Sequence, residues 1–157
     1  MMVTRVKTKA EIAAMREGGR MLATILQLLK KRMETGMSTK DLAVIAAAEL
    51  EKLGGEPSFL GYQGFPDVIC ISVNDEVVHG IPRPDKIIAD GDIVGLDFGV
   101  TCRGMITDGA ISVIAGKPKT QGHIRLVEDT QMALESGIAA VHDQVRTGDI
   151  GAAVDGS

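Results

Sequence analysis

Apolar positions recur at two periods along this chain. From Ile12 to Met33 they fall three, four and seven apart (Ile12, Met15, Leu22, Ile25, Leu26, Leu29, Met33), which predicts one buried face of a long helix. Thr8 and Glu11 stand where a capping box would start it, and Gly36 ends it. Gly18-Gly19 interrupts the pattern at a cost of roughly 1 kcal/mol per residue relative to Ala. Such a pair points to a bend or to close approach of another backbone. Ser38 and Asp41 open a second helix, with Leu42, Ile45, Ala46, Leu50 and Leu53 on its apolar face and Gly54-Gly55 at its end. After Gly116-Lys117-Pro118 a third long helix is predicted, its buried face marked by Val127, Leu134, Ile138, Val141 and Val145. His123 and His142 lie near its two ends and read as solvated.

Between the second and third helices the period changes to that of strands. Val68 to Val73 is a short strand, and Asn74-Asp75 is turn chemistry. The runs from Ile93 to Val100 and from Met105 to Ile114 are two strands of a hairpin. A loop over Thr101 to Gly104, with Gly104 free to take a positive φ, puts Val100 opposite Met105 and Asp97 opposite Asp108. Directly opposed residues share one face, their Cβ atoms about 4.5–5.5 Å apart. Two carboxylates so close call for a positive charge between them. Gly95 and Gly99 flank Asp97 on that face and leave room above it, while Val94, Leu96 and Phe98 face the core. Two readings stand: a site for hard cations, or a sheet edge with solvated aspartates.

Composition narrows the class. At 157 residues, 45% hydrophobic and 24% charged, the chain has the size and balance of one soluble globular domain. The net charge is -4. Lys30-Lys31-Arg32 reads as a solvated helix end, and with no Trp and one Tyr there is little for bases to stack on, so direct nucleic-acid binding is not expected. Residues 1–10 lack the apolar stretch of a signal peptide, and no segment approaches the ~18–20 apolar residues that span a membrane. Cys70 and Cys102 lack metal-ligand spacing and suit a reducing cytosol as ordinary thiols.

The stretch Pro57 to Pro66 is too broken by Gly and Pro for a strand interior. It carries Phe59, Tyr62 and Phe65, which either line an apolar pocket or plug the end of the core. His79 precedes Gly80 and Pro82, which shape a tight turn able to present its ring; the alternative is a packed or surface histidine. There is also an internal echo. Thr35-Gly36 recurs as Thr147-Gly148, and in the same alignment Leu22, Leu26, Leu29 and Met33 fall on Leu134, Ile138, Val141 and Val145. A duplicated helix-helix-sheet unit and chance similarity of amphipathic helices both account for it.

Gly61-Tyr-Gln-Gly-Phe-Pro66, Ser72-Val-Asn-Asp-Glu-Val-Val-His-Gly-Ile-Pro82 and Asp90-Gly-Asp-Ile-Val with Asp97 and Thr107-Asp108 together resemble type I methionine aminopeptidases. The resemblance runs to Val154. It implies an α+β chain, the N-terminal half of a pita-bread fold, with an antiparallel-rich sheet and long helices packed on one face. It implies a metallohydrolase that removes the initiator methionine of nascent proteins with two divalent ions (Co, Mn, Fe or Zn). Asp97 and Asp108 would be metal ligands. His79 would bond the scissile amide, and Phe59, Tyr62, Phe65 and Cys70 would line the methionine pocket, where a thioether suits an aromatic wall. The implied partners are nascent N-termini and the ribosome, in the cytoplasm.

Three departures accompany the resemblance. Gln63 stands where the family has His, which keeps a hydrogen-bond donor and loses the charge. Gly99 replaces a hydroxyl residue. The family's further His and two Glu ligands belong to a second half that the sequence barely enters. By that reading residues 1–157 are one incomplete catalytic domain whose uncovered face favours self-association, and a non-catalytic binding module is the alternative to an aminopeptidase.

Overall fold

A computed structural model describes residues 6–157; residues 1–5, part of the stretch read for a leader, lie outside the described residues. The chain divides into two compact units, the first ending at Lys117 and the second spanning Pro118–Ser157.

The first unit opens with α1 (Lys9–Arg32) and α2 (Thr39–Leu53). Both start in full capping boxes, Thr8 with Glu11 and Ser38 with Asp41, which satisfy N–H groups that the first turn leaves orphaned. α1 stops at Arg32, one turn before Gly36, whose φ of 94° serves the turn that follows. The buried stripe of α1 runs through Ala14, Gly18, Leu22, Ile25 and Leu29, and Ile12 is exposed rather than part of it. Gly18 is there for space: a Cβ on it would lie 3.0 Å from Thr107 Oγ1 and 3.3 Å from Cys102 Cβ, while one on Gly19 meets nothing. Gly18 thus lets the helix lie close on a hairpin.

That hairpin is the centre of the sheet. β3 (Ile93–Cys102) pairs along its whole length with β4 (Met105–Ile114). Along its other side lie β1 (Glu56–Pro57) and β2 (Ile69–Val73), end to end and both antiparallel. Ile69, Ile71, Val73, Val94, Leu96, Phe98 and Val100 form one face of this sheet and are buried against Leu22, Ile25, Leu29, Leu42, Ala46 and Leu50 of the helices. Each such fully buried aliphatic or aromatic side chain stabilises the fold by about 1.5–3 kcal/mol. Ile88, in the connection before β3, is also fully buried; it ties down the turn between the helices, its N–H donating to Met37 O at 2.9 Å.

The hairpin loop is shorter than expected. Cys102 pairs with Met105, leaving only Arg103 and Gly104, both at positive φ (49° and 76°), as a two-residue turn whose twist matches the strands. The register moves accordingly: Asp97 lies opposite Ala110 and Asp108 opposite Gly99, not opposite each other. Parity along both strands is kept, so both aspartates still share the face turned away from the helices.

In the second unit α3 (Gln121–Ala139) packs on α4 (Thr147–Asp155). The buried face predicted for the third helix is not found. Leu134, Ile138 and Val141 are 56%, 62% and 61% exposed, and Gly137 is the buried residue, facing Val154 and Ile150. Within this unit α3 has only α4 to pack on, and it ends before Val141 and Val145. Among the described residues no helix is long and apolar enough to cross a membrane.

Candidate functional site

The face of the sheet opposite the helices holds a cavity of about 490 Å³. All eight residues singled out from the sequence line it. Asp97 and Asp108 come from the paired strands β3 and β4, and Cys70 of β2 lies directly opposite Asp97. Phe59, Tyr62, Gln63 and Phe65 come from the loop between β1 and β2, and His79 from the segment after β2.

The loop has its own internal order. Gly61 and Gly64 take positive φ around a short 3₁₀ turn at Tyr62–Gly64, and the Gly61 N–H donates to Phe65 O at 2.8 Å. This closure turns the Phe59 and Phe65 rings edge to face, 6.4 Å between centroids. Tyr62 is exposed, and the Gln63 amide donates to its hydroxyl at 3.3 Å.

His79 sits at φ 59°, a left-handed conformation uncommon outside glycine. Its neighbour Gly80 is buried against β2: the Gly80 N–H donates to Ser72 Oγ at 3.1 Å, and Ile71 N donates to Gly80 O at 2.8 Å. These bonds hold the His79 segment along the sheet and keep its exposed ring on the cavity wall.

The electrostatics are those of two carboxylates brought together. Burial first, then the Asp108 charge and a carboxyl–carboxyl hydrogen bond to Asp108, hold the Asp97 carboxyl above its ordinary range; His79 pulls the other way. Burial and the two aspartates push the Cys70 thiol up to about 11. It is therefore a protonated thiol near neutral pH on the wall of the cavity. Hard oxygen donors and a disfavoured like-charge pair suit a divalent cation in kind. In number they do not complete a site: among the described residues no group of three His, Cys, Asp or Glu side chains is placed to hold a metal.

Gly64, Pro66 and Ile81 also line the cavity. Their place beside the aromatic loop and the His-Gly-Ile-Pro turn was the available signal, and sequence reading alone passed them over.

Residues 13–157 match the profile of metallopeptidase family M24, and the chain belongs to that family. Within it the similarity is to methionine aminopeptidases. The enzyme of Aquifex aeolicus (strain VF5) is 38% identical over 159 residues, covering 98% of this chain and 61% of its own length. Methionine aminopeptidase 1 of Bacillus subtilis (strain 168) is 38% identical over 148 residues, 94% of this chain and 59% of its own. Among solved structures, the methionine aminopeptidase of Thermotoga maritima superposes with a TM-score of 0.93 at 33% identity, over 96% of this chain and 60% of that one. A prolidase from Pyrococcus furiosus shares the fold at a TM-score of 0.83 and 18% identity. The chain thus spans about three-fifths of the length of the relatives it matches. Its α+β fold, an antiparallel sheet with helices on one face, matches that part of the pita-bread structures.

Proposed function

We propose that this chain, as one incomplete aminopeptidase-like domain, forms the substrate side of a metal-dependent site that hydrolyses the peptide bond after an N-terminal methionine. One arrangement carries the reading: an aromatic-walled cavity of about 490 Å³ that opens onto an adjacent pair of carboxylates, with His79 on its wall. Phe59, Tyr62, Phe65 and Cys70 give an unbranched thioether an apolar, polarisable seat. The Gln63 amide offers a hydrogen bond to the substrate backbone. Asp97 and Asp108 would hold divalent cations such as Mn or Co as part of a larger ligand set. When bound, such cations supply a water that is nucleophilic near neutral pH and a positive field for the oxyanion. His79 donates a hydrogen bond to the scissile amide and orients it. The substrates are nascent chains that still carry their initiator methionine, met in the cytoplasm.

A second reading has its own support. Among the described residues two carboxylates, Asp97 and Asp108, line the cavity, and so small a ligand set holds a cation weakly. A chain with that site captures peptide N-termini without hydrolysing them.

Incubating the purified chain with a Met-Ala-Ser peptide and added Mn or Co separates the two. Release of free methionine supports the first reading. Peptide binding by calorimetry without release supports the second. No binding of peptide or cation would sink both.

A further inference from the structure

β1 and β2 lie on one side of β3, pairing with Val100 and Thr101 and with Val94 to Phe98 respectively. Gly99 is the β3 residue left between them, and on the other side it faces Asp108. The aromatic loop leaves the sheet at this gap, where the Ser58 N–H donates to Gly99 O at 3.2 Å.

Gly99 is not among the glycines at positive φ, so backbone freedom does not explain it. Space does. A Cβ on Gly99 would lie 2.6 Å from Phe59 Cε1 and 3.1 Å from its Cδ1, and would overlap the Ser58 hydroxyl. Gly95 on the same face is different: a Cβ there meets Ser72 O at 3.6 Å and Ser72 Cβ at 3.9 Å, ordinary contacts. The Ser58 hydroxyl is buried without a hydrogen-bond partner, so no side-chain bond from it anchors this end of the loop. The Phe59 ring also sets the edge that Phe65 meets.

We propose that Gly99 is a specificity-determining positioning residue. Its missing side chain seats the Phe59 ring down on the sheet next to the carboxylate pair and so sets the width of the cavity for an unbranched apolar side chain. The identity of that ligand rests on the proposed aminopeptidase reading; the seat itself does not.

The test is a double-mutant cycle in the 157-residue chain: Gly99→Ala, Phe59→Ala and the pair, each followed by thermal midpoint and by titration with L-methionine and L-alanine. Gly99→Ala is expected to weaken L-methionine binding about tenfold, the size of an unaccommodated methylene, with a smaller loss for L-alanine. In the Phe59→Ala background the loss is expected to shrink, and with Ser58→Ala added as well it is expected to vanish. Repeating the cycle with Ser58→Ala removes the hydroxyl overlap and leaves the ring contact alone. Equal losses from Gly99→Ala with and without Phe59 overturn the inference. If the unmodified chain binds no L-methionine, the aminopeptidase reading fails, and the four thermal midpoints still decide the seat: coupling supports it and additivity overturns it. If Gly99→Ala does not fold, recovery of folding in the double variant supports the seat, and failure of both overturns it.

Discussion

Asp97 and Asp108 are diagonal neighbours across β3 and β4: Asp97 faces Ala110, and Asp108 faces Gly99 one step nearer the turn. Diagonal positions are about 7–8 Å apart at the backbone, against about 4.5–5.5 Å for a direct pair. Two short carboxylates can therefore reach toward one point without their backbones being forced together. The two-residue Arg103-Gly104 turn sets this offset. Cys70 faces Asp97 from β2 and stays a neutral thiol, so it adds no further negative charge beside the carboxyl pair.

Removing one of those charges should stabilise the cation-free chain. A carboxyl raised above its ordinary range disfavours the fold when ionised. That cost is present above its folded-state pKa and is relieved as the pH falls through it. Asp97→Asn at neutral pH is expected to raise the thermal midpoint, by the 0.2–1 kcal/mol or so of a cross-strand like-charge pair, and to abolish Mn binding measured by calorimetry. A lower midpoint without added cation would show that the pair is not repulsive.

Gly18 and Gly19 make a matched test of the close approach of α1 to the hairpin. A Cβ on Gly19 has open space, so Gly19→Ala should add up to about 1 kcal/mol through helix propensity. Gly18→Ala gains the same propensity but presses on Thr107 and Cys102. It should fall short of Gly19→Ala by about 1 kcal/mol or more in urea denaturation. Equal effects would mean that the helix does not need the glycine to seat.

The legible parts of this molecule are those set by local rules. The capping box at Thr8 and the helix start at Ser38 lie as read, since two residues three positions apart suffice to mark each. The faces of Asp97 and Asp108 were legible because alternation survives a shift of register by whole pairs. The register itself was not, because it turned on Arg103 taking a left-handed conformation. The helix through Leu134 and Ile138 was legible too, but not its burial, since periodicity shows an apolar stripe and not whether anything covers it. The seat under Phe59 was hidden for a similar reason: it depends on β1 and β2 flanking Gly99, which only the pairing of distant segments creates.

Glu76 should tune stability in acid. A hydrogen bond from Lys86 first, against the opposing effect of burial and with the Val73 N–H at 2.9 Å adding to it, holds its carboxyl below the usual range. The sign follows from linkage: a depressed acid contributes stability above its unfolded value of about 4.3 and loses it as the pH falls through the folded one. The pair is partly exposed, so solvent screening keeps the contribution below about 1 kcal/mol. Glu76→Gln is expected to lower the thermal midpoint at pH 7 and to match the unmodified chain near pH 2. A gap that persists in acid would assign the effect to packing.

Gly80 is where the position of His79 is enforced. A Cβ on it would lie 2.7 Å from the Ile71 carbonyl carbon and 2.9 Å from Ser72 Cα, and closer still to the Ile71 oxygen. All three are backbone atoms of β2, which pairs with β3 on its other side and cannot retreat. The segment carrying His79 would have to move instead, breaking the bond from Ile71 N and the one to Ser72 Oγ. Gly80→Ala is therefore expected to destabilise the chain by about 2 kcal/mol and to shift the His79 ring resonances as the ring leaves the cavity wall. Ser72→Ala removes only the acceptor for the Gly80 N–H. It should cost about 1 kcal/mol and leave the Ile71 bond, and with it the place of His79, intact. The contrast between the two variants is the measurement: if Gly80→Ala leaves both the denaturation midpoint and the His79 resonances unchanged, the contact with β2 does not position the histidine.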